Sequence, residues 1–280
     1  MKVPPKVKQL IGIALKEDIG KGDVTSLSTI SKNSFSKAIV TSKQVAVVAG
    51  LGFFGEVFRQ VDPAIRIRYA VKDSQRVRRG EEICQIKGAT RGILAAERVA
   101  LNILQRLCGI ATMTSELVKL VSNYDVKVMD TRKTTPCMRY MEKYAVRMGG
   151  GANHRFGLYD AVLIKDNHIE AAGGIVNAVQ KSRKAYPKLK IEVETGTLKD
   201  VKEAMRTDAD VIMLDNMSVV SMKKAVKMIH SQGRRPLVEA SGNITPKNIR
   251  SVASTGVDII SVGSITHSAP SVDLSLSILK

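Results

Sequence analysis

Five cationic side chains, Arg132, Lys133, His154, Arg155 and Lys165, and two carboxylates, Glu194 and Asp215, stand at or near the ends of short apolar runs in the second half of the chain. The small residues Ser241, Gly242, Gly263 and Ser264 follow two further runs. An arginine fork matches a carboxylate with two parallel hydrogen bonds, and a lysine supplies a point charge suited to phosphate. Carboxylate oxygens are hard ligands that suit Mg2+ held jointly with substrate phosphates. Glycines admit backbone N–H groups to a phosphate, and a following helix N-terminus adds partial positive charge. Together these groups describe an anion site with a metal-ready corner, fitted to a phosphorylated sugar and a carboxylated acceptor. Each alone has a plainer reading: His154 as a structural histidine, Glu194 and Asp215 in structural ion pairs, Gly149-Gly150-Gly151 as a flexible loop. Only their convergence points to a site.

The elements that must position these residues are short buried strands at 126–129, 161–164, 191–193, 211–214, 237–238 and 259–262, alternating with helical stretches. Regular βα alternation implies a parallel sheet. The residues that follow the strands are polar or ionisable each time: Asp130-Thr131-Arg132-Lys133, Lys165-Asp166-Asn167-His168, Glu194-Thr195, Asp215-Asn216, Glu239-Ala240-Ser241-Gly242-Asn243 and Gly263-Ser264. In a barrel these ends converge on one mouth, whereas an open sheet relies mainly on one switch point. The pattern therefore favours a barrel, and about six strands instead of eight make it an incomplete one.

Upstream, residues 7–17 carry helical spacing, and Gly20-Lys21-Gly22-Asp23 breaks it. β-like runs at 38–40, 45–48 and 65–69, with a helix at about 53–60, read as an α+β domain. A turn glycine, Gly80, suggests one more hairpin closing that sheet. A long helical stretch from about 93 to 121, interrupted or kinked near Gly109, links the two domains.

The chain has 280 residues, 44% of them hydrophobic and 25% charged, which is an ordinary globular composition. No apolar run is long enough for a signal core or a membrane span, so a cytoplasmic protein is expected. Three cysteines, Cys84, Cys108 and Cys137, without CxxC spacing, argue against a disulfide framework or a zinc knuckle. The net charge of +18 is compatible with nucleic acid, acidic lipid or small anions. Much of it lies on apparent solvent faces such as Lys181-Ser182-Arg183-Lys184. With 4% aromatics, no tryptophan and no recognisable reading motif, a nucleic-acid-binding role lacks its usual equipment.

Asp130-Thr131-Arg132-Lys133-Thr134-Thr135-Pro136, Glu142-Lys143-Tyr144-Ala145-Val146 and Gly149-Gly150-Gly151-Ala152-Asn153-His154-Arg155 closely resemble the quinolinate phosphoribosyltransferase family. The similarity continues upstream through Glu17-Asp18-Ile19-Gly20-Lys21-Gly22-Asp23 and Glu97-Arg98-Val99-Ala100-Leu101-Asn102. Downstream it includes Leu163-Ile164-Lys165-Asp166-Asn167-His168, Glu192-Val193-Glu194 and Ser261-Val262-Gly263-Ser264-Ile265-Thr266-His267, so nearly the whole chain is covered.

The resemblance implies an N-terminal α/β open-faced sandwich with its linking helix over 1–108, an incomplete α/β barrel over 109–266, and a segment, 267–280, returning to the first domain. It implies a homodimer or a larger assembly of dimers such as a hexamer, with Arg98 contributed across the interface. Thr131, Arg132, His154, Arg155, Lys165 and the partner's Arg98 would hold quinolinate. Lys133, Glu194 and Asp215 would serve phosphoribosyl pyrophosphate and its Mg2+, the two carboxylates directly or through water. Ser241, Gly242, Asn243, Val262, Gly263 and Ser264 would take the 5′-phosphate. Lys133, Lys165, Glu194 and Asp215 are the implied catalytic groups.

Cys137 stands where the family usually has glycine, and Met138 where it more often has leucine; if that glycine supplies a positive φ, the loop bearing Arg132 and Lys133 is affected. A related barrel protein found with molybdate transport genes shares Thr-Arg-Lys-Thr but generally departs from Lys-Asp-Asn-His, which is intact here at 165–168.

Overall fold

The computed structural model describes residues 2–231 and 235–279. The chain forms two compact units: 1–115 with 134–150 and 266–280, and 116–133 with 151–265.

The first unit opens with α1 (Pro5–Ile19) and α2 (Val24–Thr29). Pro5 begins α1 with its φ already helical, Val7, Ile11 and Leu15 bury one stripe, and Gly20 ends it at φ 54. Then come β1 (Phe35–Ser42), β2 (Ala46–Val47), α3 (Leu51–Val61), β3 (Arg66–Tyr69), β4 (Arg76–Val77), β5 (Glu82–Ala89) and α4 (Thr90–Leu120). Asp73 caps α3 by accepting the N–H groups of Gly50 and Leu51 at 2.9 and 3.1 Å. Phe53, Phe54 and Phe58 of that helix are fully buried, each contributing roughly 1.5–3 kcal/mol by leaving water.

Gly80 does not close a hairpin. β4 pairs with β2 in a separate two-stranded sheet, while β5 pairs antiparallel with β1 and β3. The Gly80 N–H instead reaches the Ser42 carbonyl at 2.7 Å, so the turn hands the chain from one sheet to the other. Nor does Gly109 interrupt α4, which runs unbroken past it. A Cβ there would stand 1.9 Å from the Pro270 carbonyl oxygen, so close backbone approach explains this glycine.

The remaining elements are β6 (Lys127–Met129), α5 (Arg139–Met148), β7 (Val162–Ile164), α6 (Asp166–Ala172), α7 (Ile175–Ala185), β8 (Ile191–Thr195), α8 (Leu198–Ala204), β9 (Val211–Asp215), α9 (Val219–His230), β10 (Leu237–Ser241), α10 (Ile249–Ala253), β11 (Ile259–Ser261), α11 (Ser264–His267) and β12 (Leu274–Leu279). Six of the strands form one parallel sheet in the order β6-β11-β10-β9-β8-β7. That order follows the chain around a ring left open between β6 and β7, the incomplete α/β barrel. Val211–Leu214 is buried throughout, as expected of a parallel strand covered on both faces. Side-chain caps start the helices that follow: Thr197 accepts from Asp200 N and Ser218 from Ser221 N, both at 3.2 Å.

Helix α5 lies between two barrel strands in sequence but belongs with the first unit. Glu142 on it binds Arg106 of α4, the Tyr144 hydroxyl donates to Asp73, and a Cβ at Gly149 would stand 2.4 Å from the Ala111 carbonyl oxygen. Strand β12 pairs with β1, from Ser42↔Leu274 to Lys37↔Leu279, completing the sheet β12-β1-β5-β3. Among the described residues no helix is long and apolar enough to cross a membrane.

Candidate active site

The second unit gathers most of the expected site residues at the C-terminal ends of its strands. Beyond β6, Asp130 is fully buried, Thr131 and Arg132 are half-buried and Lys133 is exposed. The chain returns beside β6 at Ala152, whose N–H donates to the Val128 carbonyl at 2.8 Å and whose carbonyl accepts from Asp130 N at 3.2 Å. This short parallel bridge occupies the open edge of the barrel and delivers Asn153, His154 and Arg155. Asp130 anchors them, accepting the His154 N–H at 2.9 Å and the Asn153 amide.

Burial and the neighbouring Arg132 charge both push the Arg155 guanidinium pKa down. The charges of Glu192 and Asp160 act the other way, and the guanidinium remains a cation beside that of Arg132. Arg155 Nη1 also donates to the Ala161 carbonyl at 3.2 Å, which fixes the direction of the fork.

His154 lies between two buried strand residues. Its Nε2 is 2.9 Å from Glu192 of β8 and 3.5 Å from Glu239 of β10. The Arg155 N–H points at Nδ1 from 2.8 Å, which requires that nitrogen to be unprotonated, so the ring carries its proton on Nε2. Burial lowers the ring pKa while the hydrogen bonds and charges of Glu192 and Glu239 raise it, and the Arg155 N–H aimed at Nδ1 opposes a second proton there and keeps the ring neutral. A second proton can bind Nδ1 only if the Arg155 N–H gives up that nitrogen. Burial, and after it the Glu239 charge, raise the Glu192 carboxyl above its ordinary value. The three side chains offer ligand atoms within 4.8 Å of one another. With Nε2 donating and Nδ1 accepting, the arrangement is a hydrogen-bonded cluster and not a metal seat.

Further round the mouth, Lys165 precedes α6 and its Nζ pairs with Glu194 at 3.0 Å. Asp215 ends β9, where its carboxylate accepts from the Asn216 amide at 2.7 Å. Both carboxylates are partly exposed hard-oxygen groups on neighbouring strands. They fit a Mg2+ that keeps waters and takes its other ligands from substrate phosphates.

Asn216, Gly242 and Asn243 adopt left-handed backbone at φ 52, 93 and 51. The Asn216 N–H donates to the Ser241 carbonyl at 2.9 Å and the Asn243 amide to Asn216 Oδ1 at 3.1 Å, locking the β9 and β10 turns together. A Cβ on Gly242 would stand 2.2 Å from Asn216 Oδ1, so only glycine fits there. Val262 continues β11, its N–H donating to the Met129 carbonyl at 2.9 Å, and Gly263 and Ser264 lead into α11.

Arg98 is exposed on α4 in the first unit and is not among the groups gathered by the barrel. Cys137 adopts φ 65, the left-handed conformation in which the family's usual glycine would rest without strain. The sequence reading missed Glu192 and Glu239, counting only Glu194 and Asp215 as strand-end carboxylates. The signal was the alternation: Glu192 lies two residues before Glu194 and Glu239 two before Ser241, so each shares a strand face with a mouth residue.

A six-stranded parallel barrel whose mouth sets crowded cations beside strand-end carboxylates and a glycine turn defines an α/β-barrel enzyme class that handles anionic substrates. More narrowly, the chain belongs to the quinolinate phosphoribosyl transferase family: residues 23–108 match its N-terminal domain and 110–277 its C-terminal domain. It is 43% identical over 267 residues to a probable nicotinate-nucleotide pyrophosphorylase [carboxylating] of Synechocystis sp., covering 95% of this chain and 90% of that one. To the chloroplastic nicotinate-nucleotide pyrophosphorylase [carboxylating] of Oryza sativa it is 41% identical, covering 97% of this chain and 77% of that one. The solved nicotinate-nucleotide pyrophosphorylase of Francisella tularensis superposes with a TM-score of 0.95 at 43% identity, covering 99% and 98% of the two chains.

Proposed function

We propose that this protein is a decarboxylating quinolinate phosphoribosyltransferase, converting quinolinate and phosphoribosyl pyrophosphate to nicotinate mononucleotide, pyrophosphate and CO2 on the route to NAD. The observation that carries this reading is the gathering of Arg132, Arg155 and Lys165 beyond the C-terminal ends of the barrel strands, on the same mouth as the carboxylates Glu194 and Asp215, a cationic subsite fitted to an acceptor with adjacent carboxylates. Arg132, Arg155 and Lys165 grip those carboxylates, Thr131 and His154 complete the subsite, and Arg98 of the partner subunit closes it in a homodimer or an assembly of dimers. Lys133, Glu194 and Asp215 serve phosphoribosyl pyrophosphate, the two carboxylates holding its Mg2+. The turns at Ser241-Gly242-Asn243 and Val262-Gly263-Ser264 take the 5′-phosphate through backbone N–H groups.

The chemistry asks the protein mainly to position and to neutralise. The pyridine nitrogen attacks C1 of the sugar as pyrophosphate leaves, and positive charge grows on the ribose. Bound Mg2+ supplies charge neutralisation for the departing pyrophosphate. Lys133 adds a cation on the same side, and the Lys165–Glu194 pair keeps the lysine aimed at the mouth. Once ribosylated, the ring nitrogen is cationic and accepts the electron pair left when the adjacent carboxylate departs as CO2, so decarboxylation requires no further cofactor. We place the enzyme in the cytoplasm.

The test is formation of nicotinate mononucleotide by purified protein from quinolinate, phosphoribosyl pyrophosphate and Mg2+, with nicotinate as the control acceptor. Product from quinolinate alone supports both the reaction and the two-carboxylate clamp. No product from either acceptor in a folded, oligomeric sample would overturn the reading.

A further inference from the structure

Beneath the mouth, the barrel buries two carboxylates where branched apolar side chains ordinarily fill the interior. Glu192 is 6% exposed and Glu239 1%. They come from β8 and β10, with β9 between them, so both must rise from the same face of the sheet to reach one imidazole. Among the described residues, Oε1 of each has no hydrogen-bond partner. For packing alone, apolar residues of the same size would serve at least as well. What the carboxylates add is a fixed acceptor for His154 Nε2–H.

That acceptor determines the rest of the ring. With its proton held on Nε2, the imidazole presents a bare Nδ1, which receives the Arg155 N–H. The His154 N–H is tied to Asp130 at the same time, so the backbone on both sides of this histidine is pinned. We propose that Glu192 and Glu239 are positioning residues of the acceptor subsite: they lock the tautomer and orientation of His154, which through Nδ1 holds the Arg155 backbone and so keeps its guanidinium beside Arg132. This rests on the reading of Arg132 and Arg155 as the quinolinate clamp. His154 thus supports that clamp through the Arg155 backbone.

The experiment compares the double variant Glu192→Leu/Glu239→Leu with Glu192→Gln/Glu239→Gln, whose amide oxygens can still accept from Nε2–H. In the leucine variant, the expected result is a quinolinate KM raised tenfold or more, a phosphoribosyl pyrophosphate KM within twofold of wild type, and a melting temperature no lower. The glutamine variant should recover most of the lost quinolinate KM. Imidazole 15N spectra of the unliganded proteins give a readout that needs no turnover: His154 should carry its proton on Nε2 in the wild type and lose that preference in the leucine variant. A folded leucine variant with an unchanged quinolinate KM, equal loss of both substrates, or a wild-type ring carrying a proton on Nδ1 at neutral pH would each overturn the proposal. Should the leucine variant fail to fold, the wild-type spectrum and the glutamine variant still decide. Failure of wild-type protein to use quinolinate counts against the proposed function, and the spectra then test the locking of His154 separately.

Discussion

Both units bury glutamates, and they treat them differently. In the first, Glu142 is fully buried on α5 and its carboxylate is saturated: Arg106 donates from Nε and Nη2 at 3.1 and 3.0 Å, and Thr135 from its backbone N and its hydroxyl at 3.1 and 2.8 Å. Arg106 in turn donates to the carbonyls of Thr266 and Ala269. In the barrel, Glu192 and Glu239 share one imidazole and keep an unmatched oxygen each. A saturated buried charge is repaid locally and joins segments distant in sequence. An unsaturated one costs stability and persists where it sets the geometry of something else.

The sharpest way to break this contrast is at the clamp that the barrel glutamates are said to serve. Arg132→Ala and Lys165→Ala should each lower kcat/KM for quinolinate by about 100-fold or more, the loss expected when one partner of a charge-assisted contact is removed. Steady-state kinetics with both substrates checks this, and normal turnover in both variants would remove these residues from the acceptor subsite. Next comes Glu142→Leu, which strands Arg106 in a largely buried place and should cost about 3 kcal/mol or more, read from the urea unfolding midpoint. If Glu142→Leu cost no more stability than leucine at 192 and 239, the distinction between saturated and unsaturated carboxylates would collapse. Gly242→Ala tests the rigidity of the mouth. Its Cβ meets Asn216 and the backbone is left-handed, so a loss of about 1–3 kcal/mol is expected, with a raised KM for phosphoribosyl pyrophosphate. The smallest change is Cys137→Gly, which relieves a left-handed non-glycine residue and should shift stability by no more than about 1 kcal/mol, upward if strain outweighs the added chain entropy.

The same contrast explains what could be read without a structure. All six barrel strands were legible because each is a short, mainly apolar run closed by a polar or small residue, and that regularity also put Arg132, Lys165, Glu194 and Asp215 at strand ends. The partner of β4 was not legible: Gly80 signals a reversal but not which strand the chain pairs with afterwards. Gly109 looked like a helix breaker because the carbonyl that requires it belongs to Pro270, far along the chain. Glu192 and Glu239 were visible as charges, yet what a buried charge does depends on its compensation, and the compensating imidazole arrives from a loop after a different strand.

Strand β12 has a consequence for synthesis. Its residues, 274–279, supply an edge of the sheet that begins with β1 at 35–42, while every strand of the barrel lies between them in sequence. As the chain leaves the ribosome, the barrel can find all its strand partners before the first sheet can. The earliest-made unit is therefore the last to be finished, and until then the free edge of β1 is an unpaired strand open to wrong partners.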